Sequence, residues 1–298
     1  MSIKLYDIKN EKFIEENVPA ESFMRFLYSN AFGKLSVWAL FKRAFFSRLC
    51  GLWASSWLSK KTVASFIEKN AINVDEMLFA PTHYENFNSF FTRKLKEDAR
   101  KVEGGENEKL ISFPSDGRHL LIRNVSQADT FYAKGQKFNL GKFLDDKKLA
   151  EHFEGGDMLI SRLAPVDYHR FHFPIDCVIS ARRQIEGALF SVSPIALIPR
   201  LSVFWENRRI LNILESEHFG KCAFVEIGAT NVGSIVNSRQ VGDVPARGSE
   251  AGLFNFGGSC VITLFPKQDI DWNSKLIEMS SQSIECYAKV NTLAGQLR

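Results

Sequence analysis

The stretch Phe254–Phe265, FNFGGSCVITLF, decides how the second half of the chain is read. Val261, Ile262, Leu264 and Phe265 form a short β-branched and aromatic run closed by Pro266, which predicts a buried strand. Gly257, Gly258 and Ser259 stand directly at its head. Glycine in front of a core strand marks a bend, a bulge or a close backbone approach, and on that reading Ser259 is a small filler.

Working outward, the 298 residues are enough for a sizeable core, as one large domain or a domain with an appendage. A hydrophobic fraction of 45% and a charged fraction of 24% are those of a globular protein. The net charge of +4 is too small to argue for nucleic acid, but clustered positive charge would suit an anionic membrane surface. Five dispersed cysteines without a CxxC pair argue against a disulfide framework and a zinc site, and so for a reducing compartment. The polar amino terminus lacks a signal-peptide core, and no apolar run reaches the ~18 residues of a spanning helix. The expectation is a cytosolic or peripheral protein.

Residues 1 to about 20 read as an extended polar lead-in, and Phe23 to about Met77 as helical. Trp38, Phe41, Phe45, Leu49, Leu52 and Trp53 fall on one side of a 3.6-residue helix, with Arg43 and Arg48 flanking them. That pattern suits an interfacial helix, although Lys42 would have to snorkel and a helix packed on its own core has the same period. Asn88–Val102 reads as a further amphipathic helix. The glycine- and charge-rich EGGENEK then marks a boundary near residue 105. Beyond it, short apolar runs separated by Gly, Pro, Asn and Asp predict a β-rich region.

Three stretches carry candidate chemistry. FPSDGRHL holds Asp116 in good turn chemistry. RLAPVDYHRFHFPID packs Asp167, His169 and His172 into six residues of a chain with six histidines, and histidine moves protons best near neutral pH. A metal pair there lacks an obvious third ligand, so no metal is expected. The chain order Asp116, His172, Ser259 matches one order known for hydrolase triads, but GGSC is not a Gly-x-Ser-x-Gly elbow.

Together, PSDG, APVDYHRFHFP and RGSEAGLFNFGGS resemble the motif set of the phosphatidylserine decarboxylase family. FNSFFTRKLK, ALFSVSPIAL with ENRR, and VEIGATNVGSI are similar to further family text, so the likeness covers roughly residues 85–267. The resemblance implies self-cleavage between Gly258 and Ser259, converting Ser259 into a covalent pyruvoyl cofactor. It implies that His172, oriented by Asp116, deprotonates Ser259, and that His169 protonates the carbon left after decarboxylation. The implied reaction converts phosphatidylserine to phosphatidylethanolamine through a Schiff base with the pyruvoyl group. Cys260 departs from the threonine usual after the serine.

A diacyl substrate in an anionic membrane implies a peripheral enzyme at the cytoplasmic face, touching lipid through Trp38, Phe41, Phe45, Leu49 and Trp53. The two cleavage products are expected to stay associated, a homodimer is compatible, and nucleic acid is not expected. The fold class expected is α+β: amino-terminal amphipathic helices over residues 1–105, then a β-rich, barrel-like catalytic domain over 106–298. Two alternatives remain open at this level: a serine hydrolase using Asp116, His172 and Ser259 on an uncut chain, and a non-catalytic lipid-surface module. Arg208 and Arg209 of ENRR are candidates for holding phosphate.

Overall fold

The computed structural model describes residues 3–16, 51–127, 138–198, 200–228, 235–257 and 259–298. Its strands are β1 (Ile3–Asp7), β2 (Lys12–Glu16), β3 (Leu110–Ser112), β4 (Gly117–Ile122), β5 (Asp157–Leu163), β6 (Arg170–His172), β7 (Val178–Ile185) and β8 (Arg209–Ser216). They continue with β9 (Gly220–Gly228), β10 (Ile235–Asn237), β11 (Glu250–Phe254), β12 (Ser259–Phe265), β13 (Ile270–Trp272), β14 (Cys286–Ala288) and β15 (Leu293–Leu297). Nine of them form one sheet in the order β2-β1-β14-β4-β5-β12-β9-β8-β7. Two three-stranded sheets, β10-β11-β6 and β13-β15-β3, lie beside it.

The α+β class stands, but the barrel does not. Among the described residues β2 and β7 are the two edges of the large sheet and do not pair with each other, so the sheet is open. Its helices and small sheets cover both faces instead. Cys260, Ile262 and Leu264 of β12 enter one core with Phe143, Phe153 and Phe204. Val261 and Phe265 enter the other with Phe171, Phe224 and Trp272. A strand buried on both faces has no solvent side to show, which is why Val261–Phe265 reads as an apolar run broken only by Thr263.

The amino-terminal lead-in is in fact a hairpin. β1 pairs antiparallel with β2 and parallel with β14, so residues 3–16 belong to the same sheet as the strands beyond residue 105. Of the helical reading that begins at Phe23, residues 17–50 lie outside the described residues. The described remainder is helical at 51–54, in a 3-10 turn Trp57–Lys60 and in helix α1 (Lys61–Lys69).

The single helix expected over Asn88–Val102 is corrected. Helix α2 covers only Phe87–Phe91, started by a capping box between Asn86 and Ser89. The chain then turns extended, because the main chain at Lys94–Lys96 bonds to that at Glu76–Leu78 through Leu78 N–H to Lys94 O (3.0 Å) and Lys96 N–H to Glu76 O (2.9 Å). Phe87, Phe90 and Phe91 join Val63, Met77 and Tyr84 in a satellite core that packs on Phe256, just ahead of the Gly-Gly-Ser segment.

Candidate active site

β12 starts at Ser259, between Leu163 of β5 and Gly228 of β9, and the serine is fully buried. Two residues before it, Gly257 holds φ at 149°, a conformation that a Cβ would resist. Alternation along the strand sends Cys260 into the opposite core, where burial pushes its thiol up. Cys260 therefore does not compete with Ser259 as a nucleophile.

Ser259 Oγ meets His169 Nδ1 at 3.2 Å. The other ring nitrogen, Nε2, lies 3.0 Å from the carbonyl of Ala164. A carbonyl only accepts, so Nε2 carries the proton and Nδ1 presents its lone pair to the serine hydroxyl. The carbonyl thus fixes the tautomer that a base toward Ser259 needs. Phe91 stacks on the imidazole at 3.7 Å between centroids, and Phe254 N–H donates to the His169 carbonyl at 2.9 Å. Burial, aided by the nearby Arg93 charge, holds His169 well below the ordinary histidine range, so the ring is neutral at physiological pH.

The turn supplying that carbonyl is itself held. Asp167 N–H closes it on Ala164 O at 2.9 Å, and Asp167 Oδ2 accepts from Ala164 N–H at 2.6 Å. Asp167 is paired with Arg118 of β4, whose Nε lies 3.0 Å from Glu16 at the end of β2. Glu16 also meets Arg162 of β5 at 3.0 Å, and Arg162 meets Glu285 at 2.6 Å. All five side chains are buried. A charged chain thus runs from the hairpin to the turn beneath His169.

His172 occupies a different position. It lies at the end of β6, with its backbone N–H on Pro114 O (2.7 Å) and its Nδ1 2.8 Å from the Gly248 carbonyl. Nδ1 carries the proton, and the bare Nε2 is buried without a hydrogen-bond partner. Burial lowers His172, and the neighbouring Glu250 and Asp116 charges oppose that shift. Asp116 bonds to neither histidine: it accepts from Arg100 Nε at 2.8 Å and Nη2 at 2.5 Å, and from Val290 N–H at 2.9 Å. The next residue, Gly117, must lack a side chain, because a Cβ there would sit 2.4 Å from the Arg162 carbonyl oxygen. The structure thus joins Ser259 to His169, and places Asp116 and His172 on adjoining segments without bonding them to the serine or to each other.

Arg209 is not free for phosphate. It is buried, and its guanidinium donates to the carbonyls of Phe143, Lys142, Trp205 and Asn207. Arg208 pairs with Glu186 on the surface. No group of three or more metal-ligating side chains occurs among the described residues.

The phosphatidylserine decarboxylase profile matches residues 87–288, which takes in Asp116, His169, His172, Ser259 and the side chains that support them, except the hairpin's Glu16. The chain belongs to the phosphatidylserine decarboxylase family. Among curated relatives it is 41% identical over 283 residues to the phosphatidylserine decarboxylase proenzyme of Fusobacterium nucleatum subsp. nucleatum, covering 95% of this chain and 94% of that one. The proenzyme of the same name from Chlamydia muridarum is 39% identical over 257 residues, covering 86% and 85%. That of Clostridium novyi is 36% identical over 284 residues, covering 95% and 96%. Within this family frame, the residues that motif reading missed are the supporting ones: Phe91, Arg93, Arg118, Arg162, Glu16 and Glu285. Phe91 apart, their one sequence signal is charge set inside or beside apolar text, as in GRHLLI and DMLISRL.

The same signal marks Glu226 in CAFVEIG. This carboxyl is buried, accepts at Oε1 from Asn212 (2.8 Å) and Asn237 (3.1 Å), and has no partner at Oε2. Burial pushes its pKa up to about 8, so the folded chain keeps it protonated at neutral pH while the unfolded chain ionises it. The unfolded state then binds fewer protons, and stability falls as pH rises toward 8 by up to about 1.4 kcal/mol per pH unit. Glu226→Gln is expected to flatten this slope, and urea melts of both proteins between pH 6.5 and 8 measure it. In the lower part of that window buried histidines such as His119, pushed down to about 3, add a slope of the opposite sign, because the unfolded chain still protonates them near pH 6.5. That part is common to both proteins and drops out of their comparison.

Proposed function

We propose that this chain is a precursor that cuts itself between Gly258 and Ser259, and that the product decarboxylates phosphatidylserine to phosphatidylethanolamine with a pyruvoyl group derived from Ser259. The observation that carries the reading is the buried contact between Ser259 Oγ and the bare Nδ1 of a tautomer-fixed His169. His169 Nδ1 takes the hydroxyl proton as Oγ attacks the Gly258 carbonyl carbon. The C–N bond breaks, leaving Gly258 as an ester on Oγ and a free amine on Ser259. Loss of the Ser259 α-proton expels the Gly258 carboxylate and leaves dehydroalanine. Tautomerisation and hydrolysis release ammonia, and residue 259 becomes the pyruvoyl.

The residues present fit that group. Residue 259 heads a fully buried strand, and the unpartnered Nε2 of His172 supplies a second proton-handling atom in the adjoining segment. When formed, the pyruvoyl group supplies an electron sink for the bond electrons released with carbon dioxide. His172 keeps its Nδ1–H on Gly248 and moves protons at Nε2, while the nearby Asp116 charge favours its protonated form. His169 and Phe91, both fully buried, keep water away from residue 259. These histidine roles reverse those implied by the family resemblance. The two pieces stay together because residues 259–298 supply β12–β15, which are interleaved with strands of the larger piece in two sheets.

Intact mass of the purified protein beside Ser259→Ala tests the reading. The expected result is two species, residues 1–258 and 259–298, with the small one blocked at its amino terminus, and a single uncut chain in the variant. An uncut wild type would favour the hydrolase or the binding module.

The proposal extends to a peripheral position on the cytoplasmic face of an anionic membrane. No helix among the described residues is long and apolar enough to cross a membrane. Trp53, Leu52, Trp57 and Leu58 are exposed by 46%, 68%, 73% and 55%, an apolar surface suited to lipid. Trp38, Phe41, Phe45 and Leu49 lie outside the described residues. Trp57→Glu is expected to cut co-flotation with phosphatidylserine-containing vesicles several-fold, while changing stability by less than about 0.5 kcal/mol. Equal flotation of the two proteins would remove this surface from the membrane contact.

A further inference from the structure

Arg93 is a buried cation with no acidic partner among the described residues. It follows α2 and is only 5% exposed. Its Nη2 donates to the carbonyls of Val166 (3.1 Å) and Asp167 (3.0 Å), but its Nη1 is buried and bonds to nothing. The carboxylates nearest in charge, Asp167 and Asp116, are already paired with Arg118 and Arg100. A guanidinium removed from water without an anion is costly, and burial accordingly pushes Arg93 down. A second orphan stands close by. Tyr84 is also 5% exposed, its hydroxyl has no partner, and it lies within the electrostatic reach of Arg93. Both groups rest on one ring: Tyr84 meets Phe90 edge-on at 5.8 Å, and Arg93 Cζ lies 5.0 Å from the Phe90 centroid.

The location gives the pair a use. The Ala164–Asp167 turn offers one carbonyl to His169 and two to Arg93, so the guanidinium sits across a single turn from the ring that touches Ser259. Phe91, two residues before Arg93, stacks on that same ring.

We propose that Arg93 Nη1 and the Tyr84 hydroxyl form an anion subsite for the phosphodiester of the substrate headgroup. The assignment rests on the decarboxylase reading above. The phosphodiester is preferred to the substrate's carboxylate on energetic grounds. Pairing a cation with the carboxylate would stabilise the group that must leave as neutral carbon dioxide, so it would raise the barrier rather than lower it. The phosphate keeps its charge throughout turnover, so a cation there holds substrate and transition state alike, a uniform binding contribution that appears in KM.

The test uses cut, full-length enzyme in mixed micelles, with rates normalised to the amount of small chain. Arg93→Gln is expected to raise KM for phosphatidylserine about 10-fold or more with kcat within about threefold, and Tyr84→Phe to raise it about threefold. Arg93→Lys recovers part of the loss. Glycerophosphoethanolamine, which has the phosphodiester but no carboxylate, should inhibit the wild type and lose its hold in Arg93→Gln. Unchanged inhibition with a raised KM would assign Arg93 to the carboxylate and overturn the proposal. A fall in kcat and melting temperature with KM and inhibition unmoved would make Arg93 a structural clasp, and overturn it as well. If the wild type releases no carbon dioxide, the decarboxylase reading fails, and calorimetric binding of glycerophosphoethanolamine to wild type and Arg93→Gln still decides the subsite.

Discussion

His169→Gln is expected to leave the chain uncut, whereas His172→Asn is cut but releases no carbon dioxide. The first substitution keeps a side-chain amide able to donate to the Ala164 carbonyl, and removes only the lone pair that faces Ser259. Loss of a positioned base costs typically 10²–10⁴-fold, enough to convert cleavage during expression into cleavage over days or none. The second substitution keeps a donor for the Gly248 carbonyl and removes the bare Nε2. Intact mass reads cleavage, and carbon dioxide trapped from carboxyl-labelled phosphatidylserine reads turnover. An uncut His172→Asn beside a cut His169→Gln would return the base role to His172, as the family resemblance implies. Because burial already holds His169 neutral, the wild-type cleavage rate should also be flat between pH 6 and 8.

The motif stretches made much of the site legible, because each carries a local physical signature. A β-branched run after two glycines predicts a strand with a special entrance, and β12 with Gly257 at φ 149° is that strand. Two histidines within four residues predict proton chemistry, yet the spacing alone does not say which ring meets the serine. That choice depends on the Ala164 and Gly248 carbonyls, which the chain brings in from turns of its own. The open sheet was not legible for a related reason. Whether β2 and β7 meet is a property of long-range pairing, and a series of short strands reads alike for a barrel and for a sheet covered on both faces. The helix expected over Asn88–Val102 failed because Lys94 and Lys96 bond their main chain to Leu78 and Glu76, a pairing that periodicity does not encode.

Least legible were the buried charges, and they carry the second large effect. Arg118→Leu is expected to destabilise the precursor by about 3–5 kcal/mol, since it strands Asp167 in the interior without a cation and leaves Glu16 to Arg162 alone. The single variant alone would show only that a buried pair was broken. The double variant Arg118→Leu/Asp167→Leu separates structure from function. It removes both members of the pair, so much of the stability should return. It also removes the carboxylate that accepts from Ala164 N–H, and with it the clamp on the turn whose carbonyl fixes the His169 tautomer. Cleavage should therefore stay slow in the double variant even where its urea melt approaches that of the wild type. Recovery of cleavage in step with stability would show instead that the charged chain from Glu16 to Asp167 only holds the hairpin to the sheet. The former outcome would make the amino-terminal hairpin part of the cleavage machinery, through a side chain that lies 153 residues from His169 in sequence and four contacts from it in space.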